Sequence, residues 1–331
     1  MSALLEFDAV SKRFTKRLDA IERLARRLGA RVAEHTVHAV DHVSFTVNEG
    51  EVVGLVGESG CGKSTLGRVG CGLYEPSDGA VRYRGQAVET ADGARRPIQM
   101  IFQDPFASLN PRMRVGEIVA EPLRVHRVAA PGPELRARVA AALTSAGMTP
   151  VEPYLRRFPF ELSGGQRQRV VIAAALALEP SLLIADEPVS MLDVSIRAEI
   201  LNLLSALARQ QGIAIVMITH DLSTVAAYAD RIAVMYLGRI VEHGPTRDVL
   251  ESPRHPYAQA LLSVVPVPDP SARRRPVILG GETPDPSRIP SGCRFHPRCP
   301  LAFERCPIVD PPLFVVGPGH GAACLLVEGP G

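Results

Sequence analysis

E-V-V-G-L-V-G-E-S-G-C-G-K-S-T, Glu51 to Thr65, is the stretch on which the fold turns. Glu51 to Val56 is an apolar, β-branched run that ends in glycine, as a buried strand feeding a turn does. Gly57, Glu58, Ser59, Gly60, Cys61, Gly62, Lys63, Ser64 and Thr65 then fit the pattern G-x-x-x-x-G-K-[ST] at a predicted helix start. Glycines let backbone N–H groups turn toward phosphate, and the helix N-terminus adds partial positive charge. Lys63 reaches the β and γ phosphates of a nucleotide such as ATP, and Ser64 coordinates Mg²⁺. A plain glycine turn would explain the glycines but not the lysine and hydroxyls between strand and helix.

Working outward, similar apolar runs occur at Ile98 to Phe102, Leu182 to Ala185 and Ile213 to Ile218. Helical patterns lie between them. The clearest is Ile196, Ile200, Leu203, Leu204 and Leu207, which share one face at the 3.6-residue period. Strands alternating with helices predict an α/β fold with a parallel sheet. Residues 105–161 carry helical stretches and weak strand signals, so a helical insert is expected there. Leu18, Ile21, Leu24, Ala25 and Leu28 predict a surface helix with Arg23, Arg26, Arg27 and Arg31 among its polar positions, solvated in the plainer reading and a membrane-surface contact in the other. From Pro253 onward lie 16 of the 29 prolines, a density that excludes long helices and central strands. A boundary near residue 252 therefore divides a domain 1–252 from a smaller one, 253–331.

Bulk properties remove several classes of function. A net charge of +2 gives no electrostatic footprint for nucleic acid, so no nucleic-acid partner is expected. The longest apolar stretch, Val170 to Leu178, falls well short of the roughly 18 to 20 residues that span a bilayer. The opening M-S-A-L-L-E-F-D has no basic and apolar signal regions, which predicts a cytosolic chain. Six cysteines in that setting suggest metal ligands rather than disulfides, because four of them crowd the final forty residues.

L-L-I-A-D-E-P, Leu182 to Pro188, is a buried strand ending in two acids, a costly place for charge unless a ligand uses it. Asp186 is placed to hold Mg²⁺, directly or through water. Glu187 is the natural general base for an attacking water. Helix capping is the plainer reading of such carboxylates, and it does not account for a pair. L-S-G-G-Q-R-Q-R, Leu162 to Arg169, supplies a second glycine-bearing helix start, with Ser163, Gly164, Gly165 and Gln166 suited to another phosphate. One chain already has its nest at Gly57 to Ser64. A second one suggests ATP held between two subunits.

The string L-S-G-G-Q immediately before the acidic strand resembles the signature of the ATP-binding cassette (ABC) family. The resemblance implies a P-loop ATPase with a RecA-like core sheet, an N-terminal antiparallel β subdomain and a helical insert. It implies that Gln103, in F-Q-D-P, is the glutamine that senses Mg²⁺ and water, and that His220, in I-T-H-D, is the switch histidine at the γ-phosphate. Phe14, in S-K-R-F, is the candidate that stacks on adenine. S-M-L-D, Ser190 to Asp193, resembles the loop that meets the partner subunit, with Met191 where the family usually has alanine and Asp193 retained.

Within the family, F-Q-D-P-F-A-S-L-N-P-R (Phe102 to Arg112), D-E-P-V-S-M-L-D-V-S (Asp186 to Ser195) and S-P-R-H-P-Y (Ser252 to Tyr257) are similar to the ATPase subunits of oligopeptide and dipeptide importers. Arg112 in S-L-N-P-R leans toward the second, F-type ATPase of the pair. This membership implies a homologous ATPase partner, two transmembrane permease subunits, an extracytoplasmic substrate-binding protein acting indirectly, and a place at the cytoplasmic face of the membrane. Cys293, Cys299, Cys306 and Cys324 form the ligand set of a 4Fe-4S cluster or a tetrahedral Zn²⁺. Resemblance to importer ATPases with similar tails favours the cluster, with zinc and unliganded thiols as alternatives. Cys61, at a helix start, is expected to have a lowered pKa and to be shielded from alkylation by ATP.

Two rival readings remain at this level. A soluble cassette protein acting on DNA or ribosomes usually carries coiled-coil inserts or two cassettes, and neither is visible here. A scaffold with weak ATPase is disfavoured by intact Lys63, Asp186, Glu187 and His220. Nickel or glutathione stands as an alternative cargo.

Overall fold

The computed structural model describes residues 3–16, 35–88, 97–264, 277–282 and 284–328. The expected surface helix at residues 18–31 lies outside them.

Two sheets organise the chain. The first is antiparallel in the order β2-β1-β4-β5, built from β1 (Leu5–Lys16), β2 (His35–Val47), β4 (Asp78–Tyr83) and β5 (Gln86–Ala87). Strand β3 (Val52–Val56) belongs to the second sheet. Its remaining members are β6 (Ile98–Ile101), β7 (Leu182–Asp186), β8 (Ala214–Thr219), β9 (Arg231–Tyr236), β10 (Arg239–Pro245), β11 (Phe314–Gly317) and β12 (His320–Ala322), in the order β11-β12-β10-β9-β3-β8-β7-β6. From β9 to β6 every pairing is parallel. Strands β3, β7 and β8 are buried along their whole length, which is why they read as unbroken apolar runs.

Between the sheets, Phe7, Phe45, Leu66, Val69 and Ile184 form one core, so the helix Lys63–Gly70 is packed between β1 and the parallel strands. Phe7 and Phe45 stack with ring centroids 4.5 Å apart. The opposite face of the parallel sheet is covered by the helices Gly164–Leu176 and Val194–Gln211. Ile200, Leu204 and Leu207 are buried there, on the face that periodicity assigns to the core. Residues 105–161 contain the helices Pro105–Ser108, Val115–Val125, Pro133–Ser145 and Glu152–Leu155, then a 3₁₀ turn at Pro159–Glu161.

Parallel strands point their carboxyl ends the same way, and loops beyond such ends are where α/β sheets collect ligand-binding groups. Here those loops begin at Gly57 after β3, Phe102 after β6, Glu187 after β7 and His220 after β8.

Proline density does not keep the C-terminal segment out of the sheet. Strands β11 and β12 are short, and β12 pairs with β10 through Glu242↔Ala322 and His243↔Gly321. Glu242 anchors this join. Its buried carboxylate accepts from Nε2 of His320 (2.8 Å) and from the backbone N–H groups of Arg254 (2.8 Å) and His255 (2.7 Å). Three donors compensate the desolvation of that charge. No helix of the described residues is long and apolar enough to cross a membrane.

Candidate functional site

The loop after β3 is held tight by its surroundings. Gly57 (φ 154°) and Gly62 (φ 107°) adopt backbone conformations that disfavour side chains, and a Cβ would collide with the Met235 carbonyl at Gly57 and the Ala39 carbonyl at Gly62. Ser59 and Gly60 form the exposed rim. Lys63 is 5% exposed, and its Nζ donates to the carbonyls of Gly57 (2.8 Å) and Glu58 (2.9 Å). The ammonium is thus folded back along the loop that an anion would fill. Thr65 is half-buried in the first turn of the helix.

Ser64 Oγ donates to Asp186 Oδ1 at 2.9 Å, joining the helix start to the end of β7. Burial raises the Asp186 carboxyl above its usual range, against the opposing pull of the Ser64 hydrogen bond and Arg68. A hydroxyl and a carboxylate are the hard oxygen donors that Mg²⁺ takes alongside substrate phosphates, so this pair fits that ion.

Glu187 follows Asp186 directly yet faces different partners. Its backbone is left-handed (φ 45°), and its N–H donates to the Ile218 carbonyl at 2.9 Å. Such a conformation costs about 1–3 kcal/mol for a non-glycine residue and persists only where its neighbours enforce it. The turn separates the two carboxylates: Glu187 Oε2 accepts from Gln103 Nε2 (3.0 Å), and Oε1 meets His220 Nδ1 (3.1 Å). Pairing with an ionised carboxylate places a proton on Nδ1, and the His220 ring is otherwise open to solvent.

Ser163 caps the helix Gly164–Leu176 through a reciprocal box. Gln166 N–H donates to Ser163 Oγ (3.3 Å), and Ser163 N–H donates to Gln166 Oε1 (3.1 Å). Gly165 packs on Ile196, where a Cβ would press against the isoleucine methyl. Phe106, four residues after the loop's Phe102, lies under the Arg167 guanidinium, 4.3 Å from its ring centroid. Leu162 N–H donates to the Pro159 carbonyl (3.2 Å), so this turn is satisfied by its own neighbours. Asp193 is exposed at the start of the helix Val194–Gln211, beside the exposed side chains of Met191 and Val194.

Phe14 sits on β1 as a partly exposed ring, edge-on to Tyr74 at 5.6 Å. Its cross-strand partner is Val37, two positions before the Ala39 against which Gly62 packs.

Cys61 departs from expectation. The thiol is 2% exposed and its pKa is raised, because burial outweighs the nearby Lys63 ammonium. The side chain is packed into the core, so the expected low pKa does not hold.

The four C-terminal thiols share one neighbourhood. Cys293 feels Cys306 and Cys324, and Cys299 feels Cys293 and Cys306. Backbone N–H groups of Phe295, Leu301 and Leu326 donate to the sulfurs of Cys293, Cys299 and Cys324, each two residues earlier. Among the described residues, no group of three or more His, Cys, Asp or Glu side chains is drawn to metal-holding distance.

Sequence reasoning gave no role to Tyr257, Arg294 or Arg298. All three come from the C-terminal segment and reach the loop after β3 or its supports. Tyr257 lies in the H-P-Y tract; the arginines have no local signal at all.

A family model for the ABC transporter matches residues 40–190, and one for the oligopeptide/dipeptide transporter C-terminal region matches residues 241–306. The oligopeptide transport ATP-binding protein OppF of Escherichia coli (strain K12) is 47% identical over 300 residues, covering 88% of this chain and 89% of that one. The chain belongs to the oligopeptide/dipeptide group of ABC transporter ATPases. This ABC ATPase is also 47% identical to YkfD of Bacillus subtilis (strain 168), provisionally named an oligopeptide transport ATP-binding protein, over 88% of its own length and 91% of the relative's. Among solved structures it resembles the dimeric ATP-binding cassette MJ0796 bound to ADP and Pi, with TM-score 0.60, 28% identity, and coverage of 73% of this chain and 99% of that one. An ABC ATPase is an ATP hydrolase that uses Mg²⁺, and the P-loop cassette fold expected from the sequence is the fold found.

Proposed function

We propose that this chain is the F-type motor subunit of a membrane importer for dipeptides or oligopeptides, driven by ATP-dependent pairing with a homologous but different ATPase subunit. The observation that carries this reading is an asymmetry in the site. One sheet edge gathers Lys63, Ser64, Gln103, Asp186, Glu187 and His220, while the second phosphate-type helix start, Ser163–Gln166, bonds within itself. Each turn then completes a site on the opposite subunit, with Asp193 and Met191 at the seam. MJ0796 was solved as a dimer.

Within the site, Lys63 swings from the Gly57 and Glu58 carbonyls to the β and γ phosphates. Ser64 and Asp186 hold Mg²⁺, which when bound offsets charge on the phosphate oxygens. Glu187, oriented by Gln103 and His220, takes a proton from the attacking water. His220 presents its far ring nitrogen toward the γ-phosphate side, Phe14 stacks on adenine, and Ser163, Gly164 and Gly165 offer backbone N–H groups from across the dimer.

Phe106 on Arg167 links the Gln103 loop to the signature helix, so closure is expected to move the helical insert (105–161) within domain 1–252. That motion would act on two permease subunits at the cytoplasmic face of the membrane, supplied by an extracytoplasmic binding protein. The peptide cargo rests on the names of relatives and on the tracts quoted above. Reconstitution with the permeases tests it: uptake of labelled dipeptide or oligopeptide must require both ATPases and ATP. Nickel or glutathione uptake in place of peptide would redirect the cargo assignment.

We also propose that Cys293, Cys299, Cys306 and Cys324, in the domain 253–331, hold a 4Fe-4S cluster, with Zn²⁺ as the alternative on the same thiolates. What supports this reading is the chemistry of four mutually sensed sulfurs with N–H groups aimed at three of them; the thiols would have to draw closer to bind the metal. When bound, such a cluster would cross-link the segment and could carry one electron. Anaerobic purification followed by iron, sulfide and zinc analysis decides between them, and the Cys299→Ser variant must lose the metal.

A further inference from the structure

Glu58 is an anomaly in a phosphate-binding loop. Its carboxylate sits at the second position of G-E-S-G-C-G-K-S-T, where it would oppose a triphosphate. The structure matches it with an arginine 240 residues away. Arg298 Nη1 donates to Glu58 Oε2 at 2.8 Å and Nη2 to Oε1 at 3.1 Å, a two-pronged pair with fixed geometry. The Arg298 side chain is only 9% exposed, and its guanidinium lies 6.0 Å from the Tyr236 ring centroid. Its pKa is raised, chiefly by the Glu58 hydrogen bonds.

The backbone of Glu58 is held from the same direction. Its N–H donates to the Tyr257 hydroxyl at 2.9 Å, and burial keeps that phenol protonated. Arg294 adds a second brace: Nη1 donates to the Leu237 carbonyl (2.6 Å), and Nη2 pairs with Asp41. The adjacent Gly238 N–H donates to the Cys61 carbonyl (2.9 Å). The loop is therefore gripped at Glu58 by Tyr257 and Arg298, and at Cys61 by the β9–β10 turn that Arg294 braces.

We infer that Arg298 is a positioning residue for ATP binding, which neutralises and pins Glu58 so that the loop's N–H groups face the triphosphate. This rests on the reading of Gly57–Thr65 as the phosphate site. Without the guanidinium, an uncompensated carboxylate faces the anion and only backbone contacts, from Tyr257 and Gly238, still hold the loop. The effect falls on affinity, because Arg298 touches no reacting atom.

The test is equilibrium titration of the full chain with a fluorescent MgATP analogue, together with KM and kcat in the assembled transporter. Arg298→Gln is expected to weaken binding and raise KM about 5- to 50-fold while kcat stays within about twofold. Arg298→Lys, which keeps the charge, returns affinity to within about threefold of wild type. In a Glu58→Gln background, adding Arg298→Gln costs less than about twofold, since the charge to be offset is gone. Wild-type affinity in Arg298→Gln, or an equal loss in both backgrounds, overturns the proposal. If Arg298→Gln does not fold, Arg298→Met takes its place under the same limits, and a chain that folds with neither makes Arg298 structural and ends the idea. Failure of the wild-type chain to bind MgATP, or undiminished binding in Lys63→Ala, would unseat the phosphate site itself instead.

Discussion

The helices that begin at Lys63 and at Gly164 both start with glycines beside polar side chains, yet the first start is wedged into the sheet edge and the second stands in solvent. Gly57 and Gly62 abut the carbonyls of Met235 and Ala39, and Lys63 is buried on loop carbonyls. Ser163 is exposed and is satisfied by its own Gln166. The first turn is braced by residues as distant as Arg298; the second is a short local device. A turn meant for its own chain's ligand is built in, and a turn meant for a neighbour's is left accessible.

That contrast can be broken at several points. The largest expected effect is at the built-in edge: Glu187→Gln should lower kcat by about 10²- to 10⁴-fold while MgATP binding persists, as read by steady-state ATPase and by titration. Wild-type turnover would remove Glu187 from the base role. At the accessible turn, Gly164→Asp has room, because the nearest atom to a new Cβ is a Leu192 methyl at 3.4 Å. It should leave nucleotide binding to the single chain unchanged and cut turnover of the assembled pair by about 10- to 100-fold. Equal loss in both assays would mean that the two turns serve one chain.

A smaller effect separates the remote bracing from the local device. His255 caps the helix Pro256–Ser263 by accepting from the Tyr257 N–H at Nδ1 (3.0 Å), and burial lowers its pKa to about 3. Unfolded, the imidazole titrates at about 6.5, so between these values only the unfolded chain gains the proton. Stability from the neutral ring is complete above that upper value and is lost as pH falls toward the lower one, at about 1.4 kcal/mol per pH unit. Denaturant melts should lose about 1.4 kcal/mol in all between pH 7.5 and 5.5 and approach the full slope below that, and His255→Asn, which still caps, should flatten the curve. The smallest effect belongs to Ser163→Ala, expected to cost about 1 kcal/mol of stability through the lost cap, measured by the same melts.

The catalytic edge was legible in sequence because each of its pieces is local. A strand that ends at Val56, Ile101, Asp186 or Thr219 hands its next few residues to the same rim, so pattern finds Lys63 and Glu187, and the family resemblance adds Gln103 and His220. Burial of a particular thiol is not local: Cys61 lies at a helix start, yet the direction of its side chain is set by how the loop seats on β9. The left-handed backbone at Glu187 leaves no compositional mark, since glycine does not occupy it. Arg294 and Arg298 look like ordinary charges in a cysteine-rich tail until the fold carries them to Asp41 and Glu58.

The β11–β12 hairpin has a consequence for the stability of the chain in solution. It seals β10, leaving as the outer border only the four residues of β11. A molecule clipped before Phe314 would bare a longer run of unpaired main-chain groups on β10, together with the Glu242 carboxylate stripped of its His320 donor. Such a border recruits strands from other molecules. Proteolysis of the tail would therefore announce itself first as self-association, ahead of any fall in ATP turnover.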